Sequence, residues 1–119
     1  MNAAHEPAAL AERIAGIASD RKAIDIRVID LRGIVSYTDF FVICSGNSER
    51  QTKAIHDAIL EDLKKGESRM LPRRTEGDRE SRWILLDYWD VVVHIFTPEA
   101  REYYRLENLW GEAPARSVG

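Results

Sequence analysis

The sequence predicts an α/β domain: a single mixed β-sheet of about five strands flanked by helices. Three observations predict it. The stretch "DFFVICS", ending at Ser45, is apolar at nearly every position, as a strand covered on both faces would be. Gly46 and a helix-start signal follow at once, giving a strand–turn–helix unit. Further on, "RWILLDYWDVVVHIF" carries two apolar runs joined by a short turn, the pattern of a hairpin. Strand and helix periodicities alternate along the chain, which favours a sheet covered by helices.

Each element has its own justification. Residues 1–6 are expected to be flexible. Pro7 can open a helix, and Leu10, Ile14, Ile17 and Ala18 recur at helical spacing to about Lys22. In "AIDIRVIDLRG", Ile24, Ile26 and Val28 alternate with Asp25 and Arg27, which reads as a half-buried strand stopped by Gly33. After the central strand, Ser48 is a good N-cap and Gln51 completes a capping box. Ile55, Ile59 and Leu63 mark the buried stripe of this second helix, Lys64 and Lys65 suit its C-terminus, and Gly66 its stop. A short edge strand is expected near Met70–Arg74, since Pro72 excludes a central place. The hairpin is expected over Arg82–Leu86 and Val91–Phe96, turning at Asp87–Asp90. Thr97 caps a last helix with Pro98 in its first position, and Tyr103, Leu106, Leu109 and Trp110 are expected on its inner face. Residues 7–111 therefore form one domain, and 112–119 are expected to be a flexible tail.

The composition bounds the function. With 119 residues, 45% hydrophobic, the chain can bury one core. A formal charge of −3 argues against broad binding to a phosphate backbone and permits a basic protein partner. The single cysteine, Cys44, forms no internal disulfide, and the expected compartment is a reducing cytoplasm. No apolar run approaches the ~20 residues that span a membrane, and no secretory signal is read at the N-terminus.

Catalytic readings find little support. The turn "SGNS" looks like a phosphate cradle, but a Walker loop needs GxxxxGK[ST] and a Rossmann turn GxGxxG. A nucleotidyltransferase needs carboxylates two apart on a strand near the turn; the only Asp-x-Asp/Glu pair, Asp78 and Glu80, falls in the polar loop. His5, His56 and His94 are far apart and show no zinc spacing. No metal and no cofactor is expected. His94 alternates with Val92 and Phe96 and reads as a semi-buried strand residue. Cys44 reads as core volume, with nothing basic beside it in sequence.

The aromatic residues say more. Trp83, Tyr88 and Trp89 crowd one hairpin, amid Glu76, Asp78, Arg79, Arg82, Asp87 and Asp90. By strand alternation Trp83 shares a face with Leu85 and Asp87, while Ile84 and Leu86 point the other way. Two readings of Trp83 are open: packing under a helix, or the anchor of a protein interface, whose hot spots favour aromatic residues.

The segments "YTDFFVICSGNSERQTKAI", Glu76-Gly77 and "WILLDYWDVVVHIFTPEAREYYRLENLW", in that order, resemble the ribosomal silencing factor family, also called RsfS or Iojap-related. The match runs from about Leu10 to Trp110. Trp89 stands where the family usually has glycine, and Thr97 where it often has histidine. The resemblance implies a fold similar to nucleotidyltransferases without their catalytic residues, and so no enzymatic activity. It implies a translation repressor that binds ribosomal protein fourteen on the large subunit and blocks joining of the small subunit when nutrients are short. It also implies a homodimer when free, and no membrane or sequence-specific nucleic acid partner. On this view Trp83 is the anchor, Glu76, Asp87 and Asp90 face basic side chains of the partner, and Tyr88 and Trp89 form the rim. The turn Gly46-Asn47-Ser48 either only shapes the β–α connection or borders the docking face. The alternatives are a degenerate nucleotide-binding protein or transferase, and an adaptor for a non-ribosomal partner.

Overall fold

The computed structural model describes residues 6–66, 69–77, 79–111 and 113–118, without the side chains of residues 107 and 110. His5, Asp78 and the Trp110 side chain thus lie outside the described residues. The chain runs α1 (Pro7–Asp20), β1 (Ile24–Asp30), β2 (Phe40–Ser45), α2 (Glu49–Lys65), β3 (Arg74–Gly77), β4 (Trp83–Asp87), β5 (Val91–Phe96), α3 (Pro98–Tyr104), a 3-10 turn (Leu106–Trp110) and β6 (Ala115–Val118). Among the described residues the strands form one six-stranded sheet in the order β3-β4-β5-β2-β1-β6. Only β2 and β5 pair in parallel; the other neighbours are antiparallel.

The central place of "FVICS" follows from its lack of a polar face. All six residues of β2 are buried, as are all six of β5 beside it. Alternation sends Phe40, Val42 and Cys44 to one side, where Leu10, Ile14, Ile55, Ile59 and Leu63 of α1 and α2 cover them. Phe41 and Ile43 go to the other side with Ile29, Val92 and Phe96, where α3 contributes Ala100. Two long helices thus cover one face, and one short helix with the 3-10 turn covers part of the other. No described helix is long and apolar enough to cross a membrane.

Four local expectations are corrected. The tail expected to be flexible contains β6, which pairs with Ile26–Ile29 of β1; backbone bonds hold it, since its side chains are largely exposed. The edge strand lies at Arg74–Gly77 rather than Met70–Arg74, beginning four residues later than expected, with every residue exposed. The last helix stops at Tyr104 because Arg105 turns into the left-handed region at φ 45°, leaving Tyr103 and Leu109 exposed rather than inward. In β1 the alternation fails early: Asp25 has φ 51°, the register shifts between Ile24 and Arg27, and Ile24 is exposed.

The helix signals act as expected at α2, with one change. The Ser48 hydroxyl accepts from the Gln51 backbone N–H at 3.1 Å. The Gln51 side chain, however, donates to the Arg21 carbonyl at the end of α1. Half of the capping box is thereby exchanged for a tie between the two helices.

A half-open aromatic face on the sheet

Trp83 opens β4, the second strand from the sheet edge, and pairs in register with Phe96 of β5. It is half-buried, on the face that α3 covers only in part. Its ring lies 5.4 Å from Phe96 at 18°, and 4.6 Å from Tyr104 at the end of α3. Tyr103 packs edge-on against Tyr104 at 5.1 Å and is 82% exposed. Leu85, also half-buried, follows Trp83 on the same face. Between them and Glu76-Gly77 of β3 is a shallow recess of about 280 Å³. One side of the Trp83 ring therefore packs on the core, and the rest meets solvent.

The indole N–H of Trp83 donates to Nδ1 of His94 at 3.1 Å. An indole nitrogen can only donate, so Nδ1 accepts and the neutral ring carries its proton on Nε2. His94 is buried, with Phe41 edge-on at 4.6 Å and Phe96 at 6.2 Å. Burial pushes its pKa down from 6.5 to about 3, against an opposing pull from the Asp87 charge.

The structure separates the other expected site residues. Asp87 was expected to face a partner and Tyr88 to form the rim of the contact, and both are buried. The Asp87 carboxylate is used within the fold: Arg73 Nε lies at 3.0 Å, Arg74 Nε at 3.3 Å, and the Trp89 backbone N–H donates to it at 2.9 Å. It fixes the hairpin turn. Tyr88 continues the Ile84–Leu86 parity and enters the core under α1 and α2, where burial pushes its phenol up to about 12. Trp89 and Asp90 are exposed at the turn, at the far end of β4 from Trp83. Trp89 has φ 67°, a conformation that favours glycine, and the Arg73 guanidinium sits 5.9 Å from its ring. Glu76 is exposed beside Leu85 and pairs with Arg74 at 3.0 Å.

The "SGNS" turn lies at the same sheet end as Trp83, two strands across, since Trp83 pairs with Phe96 and Phe96 with Ser45. Ser45 is buried and accepts from Arg101 of α3 at 3.0 Å. Asn47 and Ser48 are exposed. A methyl group on Gly46 would meet the Thr52 backbone nitrogen at 2.7 Å and the Gln51 carbonyl carbon at 3.0 Å. The glycine therefore serves close packing of the turn on the first turn of α2. Gly46→Ala is expected to destabilise the fold by about 1–3 kcal/mol, read as a lowered Tm; an unchanged Tm overturns this role. Cys44, just upstream, is fully buried and its thiol is pushed up to about 12, as befits core volume rather than a nucleophile.

Sequence reasoning missed Tyr104 and the His94 bond as parts of this face, whereas parity with Trp83 placed Leu85 on it. Tyr104 was hidden by the unexpected end of α3.

The fold and this surface define a single-sheet α/β domain with an aromatic face left half open. The chain belongs to the ribosomal silencing factor family: the model of that family, described as "Ribosomal silencing factor during starvation", matches residues 4–118. It is similar to the ribosomal silencing factor RsfS of Bacillus subtilis, 43% identical over 100 residues, covering 84% of this chain and 83% of that one. The RsfS protein of Halalkalibacterium halodurans is 45% identical over 97 residues, 80% of each chain. A crystal structure of a Chromobacterium violaceum protein superposes with a TM-score of 0.78 at 33% identity, covering 100% of this chain and 95% of that one.

Proposed function

We propose that this chain represses translation by docking on the large ribosomal subunit, through ribosomal protein fourteen, where the small subunit must join. The observation that carries the reading is Trp83: an aromatic side chain already packed against Phe96 and Tyr104, yet half exposed beside Leu85 and the carboxylate of Glu76. An anchor ordered before binding loses little freedom on docking, which favours affinity. In this reading the exposed Glu76 meets a basic partner, exchanging its surface pair with Arg74 for one across the interface. Asp90 and Trp89, at the far end of the hairpin, belong to such a contact only if it spans the length of β4.

The proposed action is steric and employs no catalytic group. It needs affinity and bulk, and a domain with extents of 39 × 34 × 25 Å supplies the bulk. The family name and the names of the relatives, silencing factors, support this reading.

Co-sedimentation with isolated large subunits tests it. The protein should pellet with them and lower the yield of joined ribosomes when small subunits are added. Protein that stays in the supernatant overturns the ribosomal reading.

A further inference from the structure

His94 is an expensive residue to keep where it is. It lies in the middle of β5, paired with Leu85 on one side and Ile43 on the other, with the rings of Phe41, Trp83 and Phe96 around it. Among the described residues its Nε2 has no hydrogen-bond partner. A buried polar group left unpaired is penalised, so a side chain that merely filled this space would be apolar. What imidazole adds is one acceptor, Nδ1, and that acceptor takes the indole N–H of Trp83.

The consequence falls on the exposed part of Trp83. The ring sits at the end of a strand on a face that is only half covered, where packing on Phe96 and Tyr104 limits its tilt. The hydrogen bond adds the missing restraint, a direction for the one polar atom. That atom is occupied inside the fold, so the surface offered outward is carbon and π-face.

We propose that His94 is a positioning residue that locks the Trp83 indole in its docking orientation, so that a partner meets an apolar or cation-accepting ring rather than a hydrogen-bond donor. The inference rests on Trp83 being the docking anchor. The partner surface it fits is an aliphatic slot or a guanidinium or ammonium group, which stacks on an indole face.

The test compares two variants. His94→Leu removes the acceptor at nearly constant volume. His94→Asn places an amide oxygen close to the position of Nδ1. In the free protein, the indole N–H signal of Trp83, assigned with Trp83→Phe, should be protected from solvent exchange in wild type and His94→Asn. It should lose that protection in His94→Leu. Large-subunit binding should weaken by about fivefold to tenfold in His94→Leu and recover in His94→Asn. A purely structural role would alter Tm without this pattern in the indole signal. An indole that exchanges in wild type as fast as that of exposed Trp89 overturns the proposal. So does unchanged binding by a folded His94→Leu whose indole is released. If wild type fails to bind the subunit while the indole stays protected, the docking reading falls and the internal lock stands.

Discussion

Trp83→Ala is expected to weaken binding to isolated large subunits by about thirtyfold or more, a loss of ~2 kcal/mol. The size follows from the geometry. The indole is the largest side chain on the half-open face, and it is held by Phe96, Tyr104 and His94 before any partner arrives. Truncation removes its contact area and leaves a pit lined by Leu85 and Phe96. The same change also loosens the fold, because one side of the ring covers the second core, so Tm should fall while cooperative unfolding is kept. Trp83→Phe separates the two effects. It preserves much of the stack, and its affinity should fall between those of wild type and Trp83→Ala. Equilibrium binding of fluorescently labelled protein to large subunits, with a melt of each variant, supplies both readings. A folded Trp83→Ala that binds like wild type removes Trp83 from the interface.

The sheet was legible in the sequence where apolar period decided it. "FFVICS" and "VVVHIF" could hardly lie anywhere but the centre, and both are wholly buried. Elements held by backbone bonds alone left no such trace. β6 and β3 are edge strands whose side chains are largely exposed, so neither shows the alternation that marks a half-buried strand. The end of α3 was hidden for a different reason. Its stop uses Arg105 in a left-handed conformation, where glycine would have signalled it.

The site divides the same way. The parity that puts Trp83 and Leu85 on one face, and Ile84, Leu86 and Tyr88 on the other, is a property of β4 alone. The fate of Asp87 is not. Its carboxylate is claimed by Arg73 and Arg74, which only the pairing of β3 with β4 brings near. The partner of His94 likewise arises across strands. Charge near an aromatic residue in sequence was therefore a poor guide to charge available to a partner. Of the three carboxylates expected to face one, Glu76 and Asp90 are exposed.

Acidification should destabilise the protein through His94, and the sign is fixed by burial. The folded pKa is near 3 and the ordinary value is 6.5, so between these limits the unfolded chain binds the proton more readily. The stabilising contribution is therefore complete above about pH 6.5 and is lost as pH falls toward 3, at up to about 1.4 kcal/mol per pH unit. Phe41, Phe96 and Trp83 surround the ring and disfavour its charge. Asp87 attracts that charge, but Arg73 and Arg74 lie against the same carboxylate. A proton on Nδ1 would also face the Trp83 N–H, donor against donor, where a hydrogen bond now exists. Urea unfolding at about pH 7.5 and about pH 5 should show a loss of roughly 1–2 kcal/mol in wild type. His94→Asn has no imidazole to protonate there and should lose less. The other two histidines are common to both proteins and cancel in the comparison. Equal losses in the two proteins would mean that His94 reaches solvent readily enough to take its proton in the native state, and the lock on Trp83 would then open with it.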